Sequence, residues 1–483
     1  MGILSELKPK KVFEYFELLS SVPHGSGNTK QISDICVDFA RRLGLEHYQD
    51  ELNNVVIIKP ATAGYENSAP VIMQGHLDMV CTKDDDCDID MAKEPIKLTV
   101  DGDWVRAVGT SLGGDNIVAV AMIMAVLDSD DLPHPRIEAV FTVDEETGMD
   151  GAMGLDVTPL RGKMMLNLDS EEDGVLTCGC AGGARVDCSL PARREALPKG
   201  YVCRKIVISG LQGGHSGVDI DKGHASSNQL LGRLLYNFSL STDLRLCEMW
   251  GGKLDNVIPL YSEAIIAFPE TDLEKIAAMA KEFEEKFKFE YSTAEPGLTL
   301  TFSEAENEEA AVCSEDTSTI LTTLLIVPYG VEAMSMDIKG LVQTSLNLGV
   351  LKLNESELNF SFATRSSILS EKEMLVQRLG AILTRMGGTA TLRSSYPGWA
   401  YRKDSLLRDT IAAAYKDQSG KDAVISATHG GLECGLFMEK IPGLDCVSIG
   451  PDLRDVHSTR ERLSISSTAR LWELVCEVLK RLK

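Results

Sequence analysis

A chain of 483 residues, 44% of them hydrophobic, carries enough apolar material for two or three domains rather than one. Its 72 acidic residues against 48 basic ones give a formal charge of −24, a surface that repels phosphate backbones and excludes nucleic acid as an expected partner. No basic stretch leads into an apolar core at the amino terminus and no run of about 18 apolar residues occurs, so we expect a cytoplasmic protein with no membrane span.

In chain order, apolar positions recur at helical spacing over 11–21 and 32–43. A short strand is expected at 55–58, then a second in the run Val71-Ile72-Met73-Gln74-Gly75, which presents His76 and Asp78 where it ends. Side chains two apart on an extended segment share a side, so His76 can ligate a metal while Asp78 supports the ring or orients the site nearby. The acidic run Asp84 to Asp90 lacks the glycine and glutamate of a calcium loop and reads as a solvated loop. Gly113-Gly114-Asp115-Asn116 leads into a buried helix over 117–127, with Asp115 placed either to cap it or to ligate. Strands at 136–143 and 163–168 end in Asp144-Glu145-Glu146 and in Asp169-Ser170-Glu171-Glu172.

From about residue 188 the texture changes. Alternating strands at 205–209, 298–302, 344–353 and 358–364 are interleaved with amphipathic helices at 273–287 and 371–386. A helix at 406–415, a strand at 446–449 and a closing helix at 468–482 resume the earlier style. The fold class expected is α/β, a catalytic domain with a mostly parallel central sheet (1–185 and 397–483) into which an α+β lid domain (186–396) is inserted.

The polar clusters fall in one kind of place. His76, Glu145-Glu146 and Asp169 follow strand ends, His457 comes soon after another, and Asp115 opens a helix. Carboxyl ends of parallel strands converge on one crevice, and two histidines with three carboxylates make a ligand set suited to a carboxylate-bridged zinc pair. Adjacent glutamates cannot easily ligate one ion alike, so one ligates and the other is free to take a proton from water. Twelve cysteines are scattered without a Cys-x-x-Cys spacing and read as reduced thiols.

Taken together, His76-Leu77-Asp78, Gly113-Gly114-Asp115-Asn116, Asp144-Glu145-Glu146, Asn167-Leu168-Asp169 and Gly450-Pro451 with His457-Ser458 resemble the motifs of the co-catalytic dizinc peptidases. The likeness is strongest to the bacterial aminoacyl-histidine (Xaa-His, or cytosol non-specific) dipeptidases and extends through Tyr396-Pro397-Gly398-Trp399 and Gly431-Leu432-Glu433-Cys434-Gly435. The resemblance implies that Asp115 bridges two divalent ions, zinc by preference with manganese or cobalt as alternatives. His76 and Asp169 would complete one site and Glu146 and His457 the other, with Glu145 as general base and Asp78 behind His76. In the inserted domain it implies that His215 stabilises an oxyanion and that Asn256 and Arg365 hold substrate, Arg365 at a terminal carboxylate. Closure of the lid would carry His215 and Arg365 onto a dipeptide, the implied substrate. Whether the chain forms a homodimer stays open, as does whether His215 serves its own chain or a partner's. His429 and Glu433 are read as either pocket lining or structural support. Two departures from the family pattern stand out, Ile117 after Asp115-Asn116 where glycine is usual, and Gly430 in place of alanine. An N-acyl amino acid deacylase on the same centre, and a metal-dependent binding protein without catalysis, are the alternatives.

Overall fold

The computed structural model describes residues 2–483, which form two compact units. Among the described residues the first unit comprises 2–180, 399–427 and 432–483, and the second comprises 181–398 with 428–431.

Eight strands form the sheet of the first unit. Its centre is the set Ile137–Thr142, Val71–His76, Met164–Asn167 and Asp445–Ser448, in that spatial order and parallel throughout. Antiparallel strands flank it, with Val55–Lys59 and Glu46–Gln49 on one side and Val175–Cys180 on the other. These central strands are buried on both faces, which explains continuous apolar runs where a half-exposed strand would alternate. Val71 and Met73 join one core with Ile137, Phe141 and Leu166, whereas Ile72 joins another with Val140, Met165 and Phe437. The helix Gly114–Leu127 is apolar on every side from Ile117 onward, and each residue from Ile117 to Leu127 belongs to the first of these cores. Ile117, the departure from the family pattern, is fully buried there.

A smaller four-stranded sheet pairs Leu98–Asp101 with Trp104–Ala107, then Arg462–Ser464, then Leu453–Arg454. The last two strands make a hairpin whose tip carries His457.

The second unit is built on a separate, largely antiparallel sheet of nine strands, among them Tyr201–Ser209, Val342–Leu353 and Glu357–Ser366. Helices Ser227–Ser239, Leu273–Glu290, Ser314–Ile326 and Leu369–Arg385 contribute to its one large core, through Leu231, Phe287, Leu321 and Leu379 among others. Residues 428–431, which the sequence assigns to the catalytic part, group with this unit. The Ala181 amide donates toward the carbonyls of Thr428 and Gly430, and His429 Nε2 lies 2.7 Å from Ser345 Oγ.

Candidate active site

His76 ends its strand in register with Thr142, and Gln74 is level with Asn167. The carboxyl ends of three parallel strands are therefore aligned, and the residues just beyond them, His76, Glu145-Glu146 and Asp169, emerge together. Asp115 comes from the start of the helix Gly114–Leu127. It is not the helix cap, because the cap is Gly113, in left-handed conformation at φ 66°, and Asp115 itself is extended at φ −82° and ψ 102°. A side chain on Gly113 would press a Cβ to 2.8 Å from Met79 Sδ, so glycine is required there twice over. Asn116 fixes the turn. Its Oδ1 accepts from the His76 amide at 3.1 Å and its Nδ2 donates to the Leu168 carbonyl at 2.9 Å.

This backbone brings five ligand-type side chains together around Asp115. His76 Nε2 lies 3.3 Å from Asp115 Oδ1 and 3.5 Å from Asp169 Oδ1. His457 Nε2 lies 3.4 Å from Asp115 Oδ2 and 3.0 Å from Glu146 Oε1. The two oxygens of one carboxylate thus face two different imidazoles, each with a second carboxylate of its own. Ligand atoms of His76, Asp115 and Glu146 all fall within 4.8 Å of one another.

Asp78 links the walls. His76 Nδ1 lies 3.0 Å from the Asp78 carbonyl and 3.4 Å from its Oδ1. The same carboxylate accepts from the amides of Glu145 at 3.1 Å and Glu146 at 3.3 Å, and from Ser26 Oγ at 2.8 Å. Its reach to the glutamate turn is a role that spacing alone did not show.

The cluster's charges are out of balance. Burial and the repulsion of Asp115 and Glu433 outweigh the pull of His76 and push the Asp169 carboxyl up to about 8. Glu145 is raised well above the carboxylate range by burial, with Asp169, Glu433 and Glu146 outweighing His76. Contacts with Asp115 and Glu146 lift His457 to about 11, and His76 is raised well above its ordinary value because Asp169, Asp115 and Asp78 overcome its burial. Protons are being recruited where positive charge is short. Two imidazoles and three carboxylates so arranged could hold a pair of divalent cations, which would supply that charge and release the protons.

Two buried glutamates complete the surroundings. Glu433 Oε2 accepts from Gln74 Nε2 at 2.6 Å and Thr142 Oγ1 at 2.7 Å, and Asn167 Nδ2 donates to Gln74 Oε1 at 2.5 Å. These bonds brace three strands and give Glu433 a structural role. Glu461 accepts backbone bonds from the Asp115 turn, a part that nothing in its sequence context announced.

The second unit gathers other residues. His215 Nε2 lies 3.1 Å from Arg365 Nη2, and Arg365 Nη1 lies 3.4 Å from Tyr396 Oη. Asn256 reaches this group through its backbone, its carbonyl accepting from the Ser216 amide at 2.9 Å. The His215 ring accepts at Nδ1 from the amides of Gly217 and Val218, and its pKa is lowered by burial and by Arg365. These bonds put the proton of the neutral ring on Nε2, facing a guanidinium that can only donate. Two donors meet with no acceptor between them, an arrangement that an anionic oxygen satisfies. His429 belongs to this unit, with Nε2 bonded to Ser345 and Nδ1 buried without a partner.

Comparison with known proteins bears on the whole chain. The model of peptidase family M20/M25/M40 matches residues 72–481. The chain is 37% identical over 482 residues to the cytosol non-specific dipeptidase of Escherichia coli (strain K12), covering 100% of this chain and 99% of that protein. Its structure superimposes on the aminoacylhistidine dipeptidase of Vibrio alginolyticus with a TM-score of 0.94 at 35% identity, covering 99% and 98% of the two chains. An aminopeptidase PepT from Bacillus cereus shares the fold at a TM-score of 0.57 and 16% identity, over 99% of each chain. With strand-end histidine and carboxylates disposed about one aspartate, and with likeness running nearly end to end, the chain belongs to peptidase family M20/M25/M40.

Proposed function

We propose that this protein is a metal-dependent dipeptidase that hydrolyses short peptides, aminoacyl-histidine dipeptides among them. One observation carries the proposal, the two-sided presentation of Asp115 to His76 and to His457, with Glu145 buried where the charges of His76, Asp169 and Glu146 act on it. The full-length likeness to proteins named as dipeptidases supports it.

In this proposal His76, Asp115 and Asp169 hold one divalent ion, and Asp115, Glu146 and His457 hold the other. The imidazole–carboxylate set suits zinc, with manganese and cobalt as alternatives. When bound, the ions supply Lewis acidity to the scissile carbonyl and to the attacking water. Glu145 takes the proton from that water and returns it to the leaving amine. Asp78 holds the His76 ring at Nδ1 and the Glu145-Glu146 amides, so one carboxylate orients ligand and base together. In the second unit, Arg365 takes the free carboxylate of the substrate, His215 donates from Nε2 to a developing oxyanion, and Asn256 holds substrate.

Among the described residues no helix is long and apolar enough to cross a membrane. The Escherichia coli relative is named for the cytosol, which supports a cytoplasmic setting. A panel of free dipeptides, including Gly-His and β-Ala-His, beside N-acetyl amino acids tests the substrate class. Cleavage of free dipeptides is expected, and turnover of N-acetyl amino acids alone would replace the proposal with a deacylase on the same centre.

A further inference from the structure

Glu461 is 3% exposed, and both of its carboxylate oxygens are committed to the backbone of the turn that carries Asp115. Oε2 accepts from the amides of Leu112 at 2.8 Å and Gly113 at 3.0 Å, and Oε1 accepts from the Asp115 amide at 3.3 Å. The packing is close, since a Cβ on Gly114 would come within 3.2 Å of Oε1 and 2.8 Å of Leu453 Cδ2. Glu461 also closes the hairpin tip that carries His457, its own amide donating to the Ser458 carbonyl at 3.1 Å.

The two residues so joined are unequally held by everything else. Asp115 is fixed a second time through Asn116, whose side chain bonds the His76 amide and the Leu168 carbonyl. His457 sits at a tip with left-handed backbone, φ 60° there and 55° at Asp455, and its side chain is 46% exposed. At the tip Thr82 Oγ1 donates to the His457 carbonyl at 3.2 Å, while Ser458 Oγ donates to the Asp455 carbonyl at 2.6 Å and Arg462 Nη2 lies 3.3 Å from Asp455 Oδ2.

We propose that Glu461 is a positioning residue that registers the His457 hairpin against the Asp115 turn, and so sets the half of the centre formed by His457 and Glu146. The inference rests on the two-metal reading of this cluster. Glu461→Gln keeps the shape but offers one acceptor oxygen, and its amide N–H groups oppose backbone donors. Freed of that bond, the tip moves and Asp115 stays.

The test is titration of chelator-stripped protein with Co2+, followed by calorimetry and by visible absorption. The unaltered protein is expected to show two binding events, and His457→Ala to identify the one that depends on the hairpin. In Glu461→Gln that event weakens by about tenfold or more, as loss of a supporting bond does, while the other stays within about threefold. If Glu461→Gln does not fold, Glu461→Asp, which keeps the charge but falls a methylene short, is titrated for the same one-sided weakening. Equal weakening of both events, or of neither, overturns the inference and leaves the metal centre standing. Fewer than two events in the unaltered protein overturns the metal-centre reading, and this inference with it.

Discussion

The two polar clusters of this molecule treat the same side chain in opposite ways. In the first unit, His76 and His457 are surrounded by carboxylates and hold their protons more tightly than a free imidazole does. In the second, burial and the charge of Arg365 drive both His215 and His429 toward the neutral form, His429 down to about 3. The first environment favours positive charge and the second favours negative charge. The lesson is that histidine chemistry here is set by neighbours brought from distant segments, not by the local sequence.

Each side of that contrast can be broken separately. The largest effect belongs to Glu145→Gln, which removes the proposed base and leaves every proposed ligand in place. Turnover is expected to fall by about 10²–10⁴-fold with metal content unchanged, as elemental analysis beside kcat would show. Asp78→Asn weakens the hold on His76 and on the glutamate turn, and a loss of about 10–100-fold in metal affinity or activity is expected, read by competition with a chelator. On the anionic-ligand side, Arg365→Met should raise KM for free dipeptides by about 10–100-fold, the worth of a charge-assisted hydrogen bond. The same change should matter little for carboxy-terminally amidated dipeptides, and an equal effect on both would remove Arg365 from carboxylate binding.

The smallest effect is on stability. His429 is a base whose folded pKa lies below its unfolded value, so only the unfolded chain takes up its proton between about 6.5 and 3. Its contribution is therefore full above pH 6.5 and lost as pH falls through that window. Between pH 7 and pH 5 the loss amounts to about 2 kcal/mol. His429→Gln should remove that increment from the pH dependence of denaturant unfolding in the metal-free protein, and an unchanged slope would mean that the ring is not held neutral.

Much of the first unit was legible because its physics is local. Doubly buried strands write continuous apolar runs, and residues just past aligned parallel strand ends must meet, so His76, Glu145-Glu146 and Asp169 were readable as a group. Asp115 was ambiguous in sequence because aspartate at a helix start is usually a cap. The left-handed Gly113 removed that role, and no pattern of letters encodes it. Glu461 was opaque for another reason, since its partners lie hundreds of residues away and a buried glutamate looks in sequence like any exposed one, and Glu433 stayed open between pocket lining and support until its bonds to Gln74 and Thr142 were seen. His215 takes a role in the sequence only through the family resemblance, and the structure adds its 3.1 Å approach to Arg365 Nη2. Segment 428–431 shows the limit for boundaries, where a few hydrogen bonds moved four residues from one unit to the other.

In the proposed function the cluster around Asp115 is a cation-dependent hydrolytic centre with Glu145 as its base. The most direct test measures Gly-His and β-Ala-His hydrolysis by the stripped protein, by the same protein resupplied with Zn2+, Mn2+ or Co2+, and by Glu145→Gln loaded in parallel. The stripped protein is expected to show no turnover and to recover on resupply, and Glu145→Gln to bind its ions and barely turn over. Hydrolysis that survives stripping, or that proceeds at the unaltered rate without Glu145, would contradict the proposed function.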